Sequence, residues 1–313
     1  MKTISYSTLV VTLLTLLGCG SLVQEVDPGN LPTATPKMVV HCFISPQDTL
    51  LAVYVQAPRA VLGTKFTDNG GFYLTYSLQG SVVTLSDGTR TVQLPGVGGT
   101  IPLYYGIDTR QFPIVAGRTY TLTVSNAYFP TVTAQCTVPK AVKPTEIRAD
   151  SLSGRANGLP GTTYYGRLVW QDAAGEANYY QVSGNLIKTV TRPIYTTPNV
   201  PTRDTTLTNM YPLSFNGVNL ITDQNVDGQR LISARGEARE FNYNSLERTI
   251  GLVFTMTLSN IDENYYRYRE TVDRQGDADE NPFAEPVLVP SNIQGGYGCF
   301  GAYNQSTLTV KVK

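Results

Sequence analysis

Few side chains in this sequence are equipped for chemistry, and those few stand far apart. His41 is the single histidine among 313 residues, so any Ser-His-Asp or Cys-His system would have to use it. It falls in the middle of "MVVHCFIS", whose alternation reads as a strand, and a partly exposed strand residue is the expectation. The four cysteines, Cys19, Cys42, Cys136 and Cys299, include no Cys-x-x-Cys pair, and one histidine cannot build a His-rich zinc site. "DQNVDG" at 223–228 spaces Asp223, Asn225 and Asp227 like the first half of a calcium loop, with Gly228 for the sharp turn. Ala234 stands where that loop needs a bidentate acid, and an Asp-Gly hairpin tip accounts for the same residues. The three remain a calcium candidate with an incomplete ligand set; no other metal or cofactor is expected. No carboxylate pair stands out for glycoside hydrolysis.

Cys19 is different, because its surroundings supply a chemistry. Lys2 gives a positive start, Leu9 to Leu17 form an apolar run broken only by Thr12 and Thr15, and Gly18 puts a small residue before the thiol. The run is too short to span a bilayer and has the flanks of an export signal. Leu16-Leu17-Gly18-Cys19 resembles the bacterial lipobox, in which the thiol forms a thioether to diacylglycerol and becomes the new first residue. Residues 1–18 are thus read as a lipoprotein signal peptide and 19–36, with scattered Pro and Gly and no periodicity, as a flexible tether. Several acyl chains on one residue anchor firmly where a single chain does not.

Composition narrows the partners. Lys+Arg and Asp+Glu balance at 24 each, with no basic run, which removes the electrostatic case for nucleic acid. Tyrosine (20), Gly (28) and Pro (19) suit strands joined by turns. Tyrosine pairs recur at 104–105, 164–165, 179–180 and 265–266; neighbours on a strand point to opposite faces, so each pair is read as one ring in the core and one outside. Gly-rich "GGYGCFG" has no strand-to-helix context and does not read as a phosphate loop.

Short alternating segments from "PKMVVHCFIS" to "TVTAQCTVPK", with Asp87-Gly88 as a hairpin turn, predict a sandwich over 37–140. The absence of a helical period there argues against parallel βαβ units. "VPKAVKPTEI" marks a boundary near 140–145, and a second β-rich domain follows over 145–313. Residues 191–210 read as a long exposed loop, and "IDENYYRYRETVDRQG" as a helix capped by Asn260, stopped by Gly276, with Tyr265, Tyr268 and Val272 on one face. The fold class is all-β and mainly antiparallel: an Ig-like sandwich, then a second sandwich or barrel-like domain with one helix near the C-terminus. Alternation turns Cys42 and Cys136 inward, and an exported protein meets an oxidising compartment. A Cys42–Cys136 disulfide and two separate buried thiols both fit, with Cys299 left over as a packed residue.

"NPFAEPVLVPSNIQGGYGCFGAY" at 281–303, with the lipobox, the lead into "PKMVVHCFI" and "AGRTYTLTVSNAYFPTVTAQCTVP", resembles a family of Bacteroidota lipoproteins known only as domain of unknown function 4249. The resemblance covers essentially all of 19–313. It implies a two-part β-rich lipoprotein of the outer membrane, often encoded beside TonB-dependent receptors, and brings no catalytic residues. The expected role is that of a non-enzymatic binding or accessory partner, with ligand unknown. A structural or adhesive envelope component is the alternative, and a carboxylate-based glycoside hydrolase a third. The first acid after Cys19 comes only at Glu25, which leaves the periplasmic or cell-surface face open.

Overall fold

The computed structural model describes residues 37–57, 78–98, 102–156, 159–197, 200–217, 219–241, 247–279 and 288–313. The expected signal peptide, Cys19 and the tether lie outside them, as does the first part of the C-terminal segment that carries the family resemblance. The described residues are 63% strand, mostly antiparallel, with one helix. No sheet among the described residues closes into a barrel, so the barrel-like alternative for the second half is corrected to open sheets. No described helix is long and apolar enough to cross a membrane.

The framework is one nine-stranded sheet. Its path runs β12 (Val200–Pro212), β11 (Tyr179–Thr197), β16 (Arg248–Ile261), β17 (Tyr297–Lys311), β1 (Val39–Ile44), β2 (Leu50–Gln56), β6 (Pro102–Asp108) and β5 (Gly96–Gly98), with β13 (Leu220–Thr222) also on β11. Two smaller sheets pack on one face of it, side by side. The first is β4 (Thr91–Leu94), β3 (Val82–Ser86), β7 (Thr119–Asn126) and β8 (Phe129–Thr137). The second is built on β10 (Leu159–Gln171), with β9 (Pro144–Ala156) along one edge and β14 (Arg230–Ile232) and β15 (Gly236–Phe241) along the other.

Alternation explains the layers. In β1, Val40, Cys42 and Ile44 are buried while Val39, His41 and Phe43 turn to the other face. They meet Val83, Leu85, Tyr120, Leu122, Val132 and Ala134 of the first small sheet in one core. A second core gathers Leu168, Trp170, Tyr180, Val182, Leu186, Phe254, Met256 and Leu258. β17 serves both: Phe300 and Ala302 belong to the first core, while Leu308 and Val310, on the same face, pack against the second. The boundary expected near 140–145 therefore separates two cores but not two sheets.

Two expectations change, and one pairing had no counterpart in the sequence reading: β1 pairs in parallel with β17, from Val39↔Tyr297 to Ile44↔Ala302, with no βαβ unit between them. Residues 191–210 are not a loop; they form the outer part of the β11–β12 hairpin, paired from Asn185↔Pro212 to Thr197↔Val200. The helix, α1 (Glu263–Asp279), is capped by Asp262 rather than Asn260, its carboxylate accepting from the Tyr265 N–H at 2.7 Å, and it runs through Gly276. As expected, Tyr265 and Tyr268 share a face, on which Tyr265 packs 4.5 Å from the Phe43 ring over the back of β1.

Gly298 sets how closely β17 approaches β1. It holds φ +110, and a Cβ there would run into the Val40 carbonyl. Gly298→Ala is expected to cost about 3 kcal/mol or more from strain and forced separation together. Gly80→Ala, also at positive φ but in open space, should cost only about 1 kcal/mol. Urea midpoints of the two variants check this.

Candidate functional site

The residues singled out for chemistry come to rest in three places. His41 lies on the back of β1 under α1, where its Nε2 is 3.0 Å from the Tyr268 hydroxyl. Burial pushes its pKa below the ordinary value, so the ring is neutral at pH 7. No carboxylate among the described residues bonds it, and it stands half-buried in its strand, in keeping with the partly exposed strand residue expected.

Cys42, Cys136 and Cys299 are all buried and unbridged. Cys42 and Cys136 share the first core, the inward placement that alternation implied, but they stand as separate thiols. Burial raises the pKa of each far above the ordinary thiol value. Such thiols are protonated and poor nucleophiles. Cys299 faces α1, its sulfur 3.7 Å from the Asn264 carbonyl.

Of the calcium candidate, Asp223 and Asp227 come together, and Asp172, just after β10, joins them as a third carboxylate. One carboxylate oxygen from each of the three lies within 4.8 Å of the others. Asp172 and Asp223 are buried, whereas Asp227 is exposed. Each already has hydrogen-bond donors. Asp172 accepts from the Tyr180 hydroxyl at 2.5 Å and from the Gly228 N–H at 2.7 Å. Asp223 accepts from the Asn178 N–H at 2.9 Å, and Asp227 from the Gly175 N–H at 2.9 Å. Asn225, at φ +70, and Gly228, at φ +67, make the turn. The group is the place among the described residues where a hard cation would find three carboxylates; what the bonds demonstrate is two loops held together at the end of the second core. Asp172 lies 51 positions before Asp223 in the chain, and no local spacing could have revealed it.

Two of the four tyrosine pairs divide as strand geometry demands; Tyr164 and Tyr165 are both half-buried, and Tyr265–Tyr266 stands on α1 rather than a strand. Tyr105 and Tyr180 are buried, while Tyr104 and Tyr179 sit on the other face. Tyr104 stacks on Tyr54 at 6.1 Å and Tyr179 on Tyr266 of α1 at 4.9 Å. Farther along the back of the large sheet, Thr255 pairs with Thr309 at 3.2 Å and Thr257 with Thr307 at 3.0 Å. That part of the face presents short uncharged hydroxyls. A shallow, widely open depression of about 580 Å³ contains Asp87 and Arg118, which neutralise each other at 2.6 Å.

The most perturbed carboxyl is Asp262, which sequence reading missed. Burial pushes its pKa up to about 7, although the N–H groups of Tyr265, Ala302 and Asn264 pull it the other way. The folded state then holds a proton that the unfolded chain, with an ordinary pKa of 3.8, releases earlier. Stability attributable to this group is therefore greatest at low pH, falls as pH rises from about 4 to about 7, and levels off above. Asp262→Asn is expected to remove that slope, read as urea midpoints measured across the same pH range.

The chain matches the family described as Domain of unknown function (DUF4249) over residues 24–309. It matches no curated protein.

Proposed function

We propose that this chain, which belongs to the DUF4249 family, is a lipid-anchored outer-membrane protein of Bacteroidota type. In this reading it acts without catalysis as a binding or accessory partner, and a TonB-dependent receptor working in uptake is the partner we favour. The observation that carries the reading is Cys19 behind Leu16-Leu17-Gly18, followed by 17 residues, 20–36, before the described fold begins at Lys37. The disposition of the reactive side chains supports binding over catalysis. His41 is engaged by Tyr268, the three cysteines of the fold are buried, and the carboxylates of the acidic group bind backbone N–H groups.

An Ig-like character for the first sandwich belongs to the same proposal. It is supported by two antiparallel layers, β1-β2-β6-β5 against β4-β3-β7-β8, with alternating inward side chains. Broad strand faces and long hairpins offer contact area to a partner, but fold alone does not name one.

Two experiments decide the matter. Cys19→Ala is expected to leave the precursor uncut or to release the protein from the membrane fraction, read by mass and fractionation. Processing and membrane attachment equal to wild type would overturn the anchor. Gentle detergent extraction of the native protein is expected to recover a β-barrel receptor with it; repeated recovery of the protein alone would overturn the partner.

A further inference from the structure

The geometry points to a bilayer-contacting surface on the fold itself, at the end where the chain arrives from its N-terminal segment, with Tyr128 and Tyr297 as the side chains that enter the lipid interface. The inference rests on the anchor reading above.

Four pieces of chain meet at this end. Lys37 to Val39 lead into β1, and the Tyr297 N–H donates to the Met38 carbonyl at 2.8 Å. The turn at 78–81 joins β2 through the Leu78 N–H and the Val55 carbonyl at 2.8 Å. The β7–β8 turn at 126–131 is tied to it by Asn126 Nδ2 and the Gln79 carbonyl at 2.9 Å. The stretch 294–297 is tied to β8 by the Gln294 N–H and the Thr133 carbonyl at 2.8 Å.

These four described pieces contain no Asp or Glu. Their one charge is Lys37, whose ammonium sits 5.3 Å from the centre of the Tyr297 ring. Tyr128 caps its turn 86% exposed, and Tyr297 is 51% exposed. A ring that is apolar in body and polar at the tip settles where hydrocarbon meets water, and a lysine beside it reaches the headgroups. Helix α1 runs toward the same end, since Tyr265 lies by Phe43 and Tyr268 by His41, but on the other face of the sheet.

Reach argues the same way. Residues 19–36 span at most about 60 Å when fully extended. β17 leaves this end alongside β1, and the pairings Tyr303↔Ile261 and Ile261↔Tyr179 carry the register into β11. Tyr195, near the tip of the β11–β12 hairpin, then lies about 70 Å along the strands from Tyr297. An anchor on Cys19 keeps the Lys37 end within about 60 Å of the bilayer, whereas the hairpin tip is free to lie farther away.

The test uses the full-length protein bound to vesicles of phosphatidylethanolamine and phosphatidylcholine, with or without bromine on the acyl chains. The native indole, Trp170, is fully buried. Tyr128→Trp places a new one at the proposed surface and Tyr195→Trp one at the far end. The emission of Tyr128→Trp is expected to fall at least two-fold on brominated lipid, and that of Tyr195→Trp no further than wild type. No extra quenching of vesicle-bound Tyr128→Trp, or equal quenching at both positions, would overturn the inference. Flotation of Cys19→Ala reports separately on the anchor: binding equal to wild type defeats the anchor reading, whereas quenching is judged only on bound protein.

Discussion

The parallel pairing of β1 with β17 is the contact on which the rest of this structure depends. It joins Val39 to Tyr297 across almost the whole fold, and it places Phe300 and Ala302 in a core otherwise built from residues 38–138 and Ile293. The same strand then continues beside β16 and lends Leu308 and Val310 to the second core. Bringing such distant segments together costs loop-closure entropy before any packing offsets it. Neither core is complete until the last strand is in place.

Where the two cores meet, apolar packing gives way to amides. Asn260 and Asn304 face each other on β16 and β17 and are buried. Asn260 Nδ2 donates to the Lys140 carbonyl at 3.0 Å, and Asn304 Nδ2 to the Pro139 carbonyl at 2.9 Å. Gln47, in the β1–β2 turn, donates to Asn304 Oδ1 at 2.8 Å. The linker between the halves is thus held by two C-terminal asparagines, one of which Gln47 braces from the N-terminal part. Buried amides that lost these partners would be left unsatisfied, at about 1–3 kcal/mol each. This is why a proline-bearing segment that reads as an open linker is instead fixed to the sheet.

Much of this was legible in the sequence where one face of a strand is wet and the other dry. The alternation of Val40, Cys42 and Ile44, the Asp87-Gly88 turn with Gly88 at φ +86, and the Tyr265–Tyr268 face of the helix all follow from local pattern. The outer β11–β12 hairpin was misread because β12 is an edge strand whose described side chains from Arg203 to Met210 are exposed or only half-buried, which erases the alternation. The parallel pair had no local signal, since the partner of β1 is chosen by tertiary packing. The carboxylate group at the end of the second core is only partly local for a similar reason: Asp223 and Asp227 are close in sequence, while Asp172 arrives from another strand.

A fold whose halves share one sheet should open as one. Native-state hydrogen exchange on the amides of β1 and β17 tests this most directly, because local opening and global unfolding give different free energies. The account predicts that Val40 and Cys42, Phe300 and Ala302, and Leu308 and Val310 exchange through a single opening, with the free energy of global unfolding. Protection of β1 at that level while the β17 amides exchange through a smaller opening would contradict it, and would mean that the first sandwich stands without the strand that closes it.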